Sequence, residues 1–294
     1  MLTDVHALIL GSGTSAGVPV IGCSCDVCTS DDPRDARLRT SMALRFTDST
    51  GSPRVILIDT SPDLRQQALT HDITRCDGIL YTHNHVDHTF GLDEVRRFNV
   101  VMNQAIDVYA EPHTMEHLFR VYRHIFEQEK NVNASFVATL LPQPLDVGTP
   151  VDLFGVRCLP IRFHHGRLPI VGFRIEAINA DGTVCDEQPG PFPLAYCTDV
   201  SSVPPETWPA LAGVRVLVLD MLRHRHHPTH LNLDQAVEIA ERVGAEQTWF
   251  IHMTHDIHHA TTQASLPAGM ALAYDGLEIR DSSGPAAPVK ADSV

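Results

Sequence analysis

The sequence predicts an α/β fold in which helices surround a core of β-sheet. Ten short apolar runs have the length and composition of strands. Between some of them lie segments with apolar residues three and four positions apart, which is the spacing of amphipathic helices. Histidines follow directly on several strand ends. Because the loops at one edge of a sheet converge, these ends predict a rigid site there.

Strands are predicted at the apolar runs, and helices are predicted where apolar residues recur every three or four positions. The strand runs are HALIL, SMALRF, RVILID, GILYT, AIDVYA, VRCLPIRF, VGFRI, LAYCT, VRVLVLD and TWFIHM. Helices are predicted for PDLRQQALTH, with Pro62 at its first position, for residues 112–128, and for NLDQAVEIAERVGA, with Gly244 as its stop. We expect one domain over residues 1–282 and a flexible tail over residues 283–294, which are rich in Ser, Pro and Ala.

Composition and charge limit the class of protein. The chain has 294 residues, 43% hydrophobic and 20% charged, which is typical of a soluble globular protein. No apolar run reaches the roughly 18 residues of a membrane span, and the first residues lack the features of a secretory signal. Seven cysteines, an odd number, argue against a disulfide framework. We therefore expect a cytoplasmic protein with no membrane partner.

The net charge of −14 opposes nucleic-acid binding unless a local basic patch overrides it. The 18 histidines are the unusual feature of the composition. They cluster in four short segments, and clustered histidines indicate metal or proton chemistry.

The stretch YTHNHVDH, residues 81–88, carries the strongest functional signal. The strand GILYT runs directly into His83, His85, Asp87 and His88. Alternate residues at a strand end point the same way, so His83 and His85 can share one ion. Asp87 and His88 can then turn toward a second ion. Three imidazoles and a carboxylate suit zinc, iron or manganese.

This stretch resembles the H-x-H-x-D-H signature of the metallo-β-lactamase fold hydrolases, and the resemblance extends along almost the whole chain. Four further segments are similar to that family: LIDTSPD with Asp59, FHHGRLPIVGFR with His165, YCTD with Asp199 and FIHMTH with His252. The resemblance implies an αββα sandwich, with two mixed β-sheets packed face to face and helices outside.

The family pattern also implies a ligand set for two catalytic metals. The first metal takes His83, His85 and His165. The second takes Asp87, His88 and His252. Asp199 is shared by both metals, and Asp59 orients the ligand loop.

Within the superfamily, GSGTSAGVPVIGCSCDVC, DLRQQ and the HG-x-LP segment resemble the phosphodiesterase branch. That branch includes the phosphoribosyl cyclic phosphate phosphodiesterases of phosphonate breakdown and, more distantly, the tRNA 3′-processing endonucleases. The resemblance implies hydrolysis of a small anionic phosphodiester, such as a cyclic ribose or nucleotide phosphate, by a hydroxide that bridges two Zn or Mn ions. The competing interpretations are a tRNA 3′-processing-type endoribonuclease, a lactonase or thioesterase, and a non-catalytic metal-binding module. Whether the chain forms a homodimer stays open.

The motif GCSCDVC places Cys23, Cys25 and Cys28 close together. From the motif alone, a zinc site and a redox pair are equally good interpretations. The resemblance to the ribose-phosphate enzymes implies that His255, in HMTH, closes a structural Cys₃His zinc site. The four other cysteines, Cys76, Cys158, Cys185 and Cys197, are interpreted as small buried apolar residues.

The loop RHRHHPTH, residues 223–230, follows a predicted strand. By the same resemblance, His230 is a proton donor and Asp220 an acidic neighbour, so that these two residues and Asp87 form the catalytic set. We expect the histidines at 224, 226 and 227 to be exposed. His113 and His117 lie one turn apart on a predicted helix, and a solvated or partly wet helix face is the preferred interpretation for them.

Overall fold

Two mixed β-sheets form the centre of the structure, a computed structural model that describes residues 1–133 and 135–282. The predicted tail, residues 283–294, lies outside the described residues. The first sheet contains β1 (Thr3–Gly11), β2 (Ser41–Thr47), β3 (Pro53–Ile58), β4 (Gly78–Leu80), β5 (Ile106–Ala110), β6 (Leu140–Pro144) and β14 (Glu278–Ile279). The second contains β7 (Val151–Leu153), β8 (Val156–His165), β9 (Leu168–Ala177), β10 (Leu194–Cys197), β11 (Val216–Asp220), β12 (Gln247–Ile251) and β13 (Met270–Leu272).

The strand order is β14-β1-β2-β3-β4-β5-β6 in one sheet and β13-β12-β11-β10-β9-β8-β7 in the other. The helices are α1 (Leu64–Thr70), α2 (Val86–Thr89), α3 (Arg96–Met102), α4 (Pro112–Val121), α5 (Arg123–Phe126), α6 (Trp208–Leu211), α7 (Leu233–Val243) and α8 (His259–Gln263). Within the described part of the chain, no helix is long and apolar enough to cross a membrane.

The core has three layers of apolar contacts. The central layer joins the facing sides of the two sheets, for example Ile9 and Met42 of the first sheet with Phe173 and Trp249 of the second. A second cluster packs the outer face of the first sheet against α1, α3 and α4. A third packs the outer face of the second sheet against α7 and neighbouring segments. The predicted αββα sandwich is therefore confirmed.

The helix α7 begins and ends where its sequence predicts. The Asn232 side chain accepts a hydrogen bond from the Gln235 backbone N–H, and the Gln235 side chain accepts one from the Asn232 backbone N–H, which completes a capping box. Gly244 ends the helix in the left-handed conformation, at φ 68°. The capped N-terminus of α7 holds in place the preceding loop, and this loop carries His230.

The secondary structure differs from the prediction in three respects. The helix expected over residues 112–128 is interrupted at Tyr122, whose hydroxyl donates to the Thr89 carbonyl at 2.9 Å. Pro62 lies before α1 and not within it, because α1 begins at Leu64. The short strands β6, β7, β13 and β14 lie at the edges of the sheets and were not predicted.

A buried polar cluster ties the loop after β1 to the C-terminal part of the chain. Arg37 is 1% exposed, and it donates to Asp35 at 2.9 Å and to the carbonyls of Thr254 and Ile257 at 3.0 and 2.8 Å. Asp35 also accepts from the backbone N–H of His259 at 2.8 Å. Burial, followed by the charges of Arg34 and Arg37, lowers the pKa of His259 from 6.5 to about 4.

We expect His259 to make the protein sensitive to acid. Because its folded-state pKa lies below the unfolded value, the unfolded chain binds the proton first, and stability is lost as pH falls from about 6.5 to about 4. The full loss is on the order of 3 kcal/mol, at about 1.4 kcal/mol per pKa unit. His259→Gln should flatten the pH dependence of the urea-unfolding free energy over this range. His258→Gln, at the half-buried neighbour, is the matched control; parallel curves for wild type and His259→Gln would contradict the assignment.

Candidate metal centres

The strand ends of both sheets converge on one cluster of histidines and aspartates. The first sheet contributes the segment after β4, which contains His83 and His85 and then α2. The second sheet contributes the ends of β8, β10, β11 and β12. The residues brought together in this way are His83, His85, Asp87, His88, His165, Asp199, Asp220, His230 and His252. Most are buried, whereas His85 is exposed at the mouth of the cluster.

The backbone is left-handed at three of the strand ends. Asp59, Asp199 and His252 have φ values of 61°, 59° and 64°. Asp59 and His252 follow directly on β3 and β12, and Asp199 is the second residue after β10. A left-handed conformation at a residue other than glycine costs about 1–3 kcal/mol and persists only where the surrounding structure enforces it. The fold therefore holds these side chains in place at an energetic cost.

One group of side chains surrounds the Asp199 carboxylate. The Nε2 atom of His88 lies 3.1 Å from one oxygen of Asp199 and 3.3 Å from Asp87. The Nε2 atom of His252 lies 3.3 Å from the other oxygen of Asp199 and 3.6 Å from Asp87. Asp87, His88, Asp199 and His252 thus offer one ligand atom each within 4.8 Å of one another.

A second group consists of imidazoles. The ring of His83 lies 4.6 Å from that of His85 and 5.7 Å from that of His165, and the rings of His85 and His165 are 5.0 Å apart. The Nδ1 atom of His165 donates to the Thr229 carbonyl at 2.7 Å, which leaves its Nε2 atom for another partner. The Nε2 atom of His83 lies 3.9 Å from Asp199. Asp199 therefore lies between the two groups.

The donor atoms of both groups fit divalent cations. The Nε2 atoms of His83, His88 and His252 are buried, and none has a hydrogen-bond partner among the described residues. Buried polar atoms without partners are rare in folded proteins, and a bound ion is one of the explanations for them. Asp59 accepts from the Nδ1 atom of His88 at 2.8 Å and so turns the Nε2 atom of that ring toward the carboxylates.

Burial and the neighbouring carboxylates shift the pKa values of the histidines in the cluster. Burial lowers the pKa of His83 well below 6.5, so this imidazole is neutral, as a metal ligand must be. Burial also opposes a charge on His88, yet Asp199, Asp87 and Asp59 together raise its pKa well above 6.5. A proton on this ring and a metal ion would therefore compete for the same nitrogen.

Asp220 positions His230 and the backbone of Asp199. It is 0% exposed; one oxygen accepts from the Asp199 backbone N–H and from the Nδ1 atom of His230, both at 3.1 Å. The His230 ring stacks on the His252 ring with centroids 4.8 Å apart. Although burial opposes it, the Asp220 charge raises the pKa of His230. The Nε2 atom of His230 is then the free end of the ring.

The cysteine motif closes around His255. The sulfur atoms of Cys23, Cys25 and Cys28 lie 3.2, 3.5 and 3.4 Å from the Nδ1 atom of His255. The backbone N–H of Cys28 leads the interactions that lower the pKa of Cys25 to about 7, whereas burial raises that of Cys28 to about 11. The three sulfurs and the imidazole nitrogen lie within 4.8 Å of one another. This set of donors suits a tetrahedral Cys₃His zinc site.

Several expectations about accessibility were wrong. His227 is half-buried, whereas His224 and His226 are exposed as expected. Cys185 is also only half-buried, and its sulfur donates to the Asn179 side chain at 3.3 Å. His113 and His117 are half-buried, in agreement with a partly wet helix face, and the Nε2 atom of His117 has no partner among the described residues.

Sequence reasoning also missed two residues that hold site residues in place by hydrogen bonds. The Thr229 carbonyl orients His165, and Thr82 donates to Asp59 through its backbone N–H and its hydroxyl, at 2.9 and 2.7 Å. Neither residue carries a sequence signal, since one acts through its backbone and the other is a common strand residue.

A buried His/Asp cluster at the strand ends of an αββα sandwich is the arrangement of a metal-dependent hydrolase. The family profile described as "Beta-lactamase superfamily domain" matches residues 54–253. The chain belongs to this superfamily.

Solved structures and curated proteins agree with this assignment. The crystal structure of a diphosphatase from the PhnP family superimposes with a TM-score of 0.80 and 39% identity, covering 95% of this chain and 97% of that one. Zn²⁺-bound PqqB from Methylobacterium extorquens has a TM-score of 0.70 and 20% identity, over 93% and 99% of the two chains, which shows the fold alone. An octanoyltransferase of Porphyromonas gingivalis is 33% identical over 93% of this chain. The chain spans about half, 51%, of that relative's length.

We expect His252 and His255 to serve different ions although they are three residues apart. Metal analysis of protein prepared without chelators should give three ions per chain. His252→Ala should lose catalytic metal and keep the cysteine-site zinc. His255→Ala and Cys25→Ser should both lose that zinc, because each breaks the same cage.

The control in each variant is the metal centre that the substitution does not touch, which should keep its metal. If His255→Ala retains its zinc while Cys25→Ser loses it, another residue closes the cage. A wild-type content of one ion or fewer would refute both metal centres.

Proposed function

We propose that this chain is a dinuclear metal-dependent phosphodiesterase that hydrolyses a small phosphodiester, such as a cyclic ribose or nucleotide phosphate. The observation that carries the proposal is the position of Asp199. Asp199 lies close to members of both ligand groups: one oxygen is 3.1 Å from His88, and the other is 3.3 Å from His252 and 3.9 Å from His83 of the second group. A carboxylate placed in this way suits a pair of divalent ions, either Zn or Mn.

Such a pair would lower the pKa of a water molecule and neutralise the charge of the phosphoryl oxygens. His83, His85, His165 and Asp199 would hold one ion; Asp87, His88 and His252, with Asp199, would hold the other. The chain's own contribution is to hold these donors in a fixed orientation. Asp59 does this for His88 through the hydrogen bond at 2.8 Å.

His230 is the proposed proton donor to the leaving-group oxygen. Its Nδ1 atom is held by Asp220, so its Nε2–H is directed away from that carboxylate. Asp220 does not contact the substrate in this scheme and acts as a positioning residue. By raising the pKa of His230, it keeps the acid protonated to a higher pH.

Phosphoryl chemistry is favoured over the alternatives by the relative that covers almost the whole chain. That protein, at 39% identity, is described as a diphosphatase. The octanoyltransferase name belongs to a protein of which this chain spans about half, so it does not assign acyl transfer to the matched half. The net charge of −14 opposes a long polynucleotide substrate.

A substrate panel tests the proposal. Metal-loaded protein should be assayed on cyclic ribose phosphates, cyclic nucleotides, a chromogenic phosphodiester, a lactone, a thioester and a precursor tRNA. We expect turnover of small phosphodiesters. Turnover of the lactone or thioester alone would replace phosphodiesterase with carbonyl hydrolysis, and turnover of the tRNA alone would indicate a nuclease.

Asp199→Asn should lower kcat/KM on the best diester by at least about 10²-fold. The loss of an outer partner of a metal ligand already costs about 10–100-fold, and Asp199 is placed to contact both ions. The steady-state assay is accompanied by metal analysis, which should show fewer bound ions. Asp146→Asn, at an exposed carboxylate, is the control. Full activity in Asp199→Asn would place the reaction elsewhere.

His230→Ala should lower kcat by roughly 10²–10⁴-fold while the metal content stays intact. The loss should shrink for leaving groups of low pKa, which depart without a proton. An equal loss for all leaving groups would indicate a role in binding. Since the rate falls as pH rises through the pKa of the acid, Asp220→Asn, which removes the charge that raises this pKa, should move the basic limb of the pH–rate profile to lower pH.

A further inference from the structure

Solvent reaches the thiols of the cysteine cage but not those in the core. The half-buried cysteines of the chain are Cys23, Cys25, Cys28 and Cys185. The buried ones are Cys76, Cys158 and Cys197. Oxidation of a cysteine depends on the exposure of its sulfur, so an oxidant in solution can reach the cage.

The accessible thiols differ in whether they have sulfur neighbours. The three cage sulfurs lie within 4.8 Å of one another. The sulfur of Cys185 instead contacts the Asn179 side chain at 3.3 Å. A thiol that is oxidised to a sulfenic acid condenses with a second thiol when one lies nearby. The cage can therefore form a disulfide within the chain, and Cys185 is an accessible thiol that can serve as its control.

Cys25 and Cys28 are the two cage residues best placed to react with each other. They lie in one turn, in which the Thr29 N–H donates to the Cys25 carbonyl at 3.1 Å. The backbone N–H of Cys28 donates to the Cys25 sulfur, and that of Val20 donates to the Cys28 sulfur at 3.3 Å. Such donors stabilise negative charge on sulfur, and the thiolate is the form of cysteine that reacts. Cys23 lies outside this turn.

We propose that Cys25 and Cys28 form an oxidation site, at which hydrogen peroxide makes a disulfide and so opens the cage. The Cys25 thiolate attacks one peroxide oxygen; the S–O bond forms, the O–O bond breaks, and the other oxygen leaves as water after taking a proton from solvent. The Cys28 thiolate then attacks the Cys25 sulfur, and the S–S bond forms as the S–O bond breaks. The second oxygen also leaves as water after taking a proton. The two sulfurs lose two electrons in total, and the peroxide gains them.

Opening the cage reaches the catalytic centre through the segment from His252 to His255. The disulfide removes two of the four cage donors, so a bound zinc ion is released and His255 is no longer tied to the cysteine loop. That loop keeps an indirect link to the segment. Val18, at its start, exchanges two backbone hydrogen bonds of 2.8 Å with Arg37, whose side chain donates to the Thr254 carbonyl at 3.0 Å. With the direct link lost, the backbone that carries His252, a proposed catalytic ligand, gains freedom.

Hydrogen peroxide added to zinc-loaded full-length protein tests the oxidation site. Mass spectrometry of non-reduced peptides should find a disulfide between Cys25 and Cys28, and a colorimetric chelator should record a first, fast loss of one zinc ion per chain. Dithiothreitol and zinc should restore the starting state. Cys185→Ser should behave like the wild type. A cage that keeps its zinc, or a loss of zinc without this disulfide, would overturn the proposal.

Two matched variants identify the reacting pair. Cys28→His and Cys23→His each replace one sulfur by an imidazole and keep four donors, as in Cys₂His₂ zinc sites. Cys23→His retains the pair and should still lose its zinc on oxidation. Cys28→His should keep its zinc at peroxide concentrations that empty the wild-type cage, and the opposite pattern would refute the assignment. Where either variant does not hold zinc before oxidation, the disulfide map of the wild type decides.

The rate of metal loss from the catalytic centre tests the coupling to His252. A chelator should remove the catalytic ions at least about tenfold faster from oxidised than from reduced protein, since the loss of an outer partner of a metal ligand costs about 10–100-fold in affinity. Hydrogen exchange should also speed up at the Met253 N–H, which donates to the Ser12 carbonyl at 3.0 Å. A disulfide that changes neither rate would refute the coupling. None of these measurements needs a substrate, so they decide the proposal even if the phosphodiesterase function fails.

Discussion

The contacts of the buried Asp199 carboxylate are the constraint on which the rest of the site depends. Asp199 is 2% exposed and lies at the end of β10, in the second sheet, whereas His83 and His88 follow β4, in the first. These side chains meet only because the two sheets stack with their strand ends at the same edge. The apolar layer between the sheets, with residues such as Met42 and Phe173, therefore sets the separation of the metal ligands as well as the stability of the fold. Neither sheet alone contains the proposed ligand set.

This arrangement concentrates negative charge where water is excluded. Asp59, Asp87, Asp199 and Asp220 are all buried, and burying an unpaired carboxylate is costly. Each of them faces at least one imidazole or backbone N–H, and the carboxylates in turn raise the pKa of His88 and His230. A proton on His88 or a divalent ion can balance the charge, and the ion does so at several ligands at once. Metal binding should consequently stabilise the folded protein, since the same donors are scattered along the unfolded chain.

The sequence predicted those parts of the site that are local in the chain. His83 to His88 lie within six positions, and the capping residues of α7 follow a short-range pattern. The contacts that position the ligands could not be predicted, because they join distant segments through backbone atoms, as the Thr229 carbonyl does for His165. The left-handed conformations of Asp59, Asp199 and His252 have no sequence signal either, since the surrounding fold imposes them. The break at Tyr122 and the burial of His227 likewise depend on partners far away or on neighbouring rings.

The segment from His252 to His255 joins the two candidate metal centres, and its backbone is held from the opposite side. The N–H of Met253 donates to the Ser12 carbonyl at 3.0 Å, and the Met253 carbonyl accepts from the N–H of Thr14 at 3.1 Å. Arg37 fixes the next carbonyl, that of Thr254, at 3.0 Å. The loop after β1 thus contacts the segment at every residue between the two histidines, and the same loop carries the three cysteines. A zinc ion in the cysteine cage would anchor this loop, and through these hydrogen bonds it would limit the movement of His252. A filled cage would contribute to catalysis by restricting the backbone of a metal ligand, although its four ligands would leave no open position for a substrate.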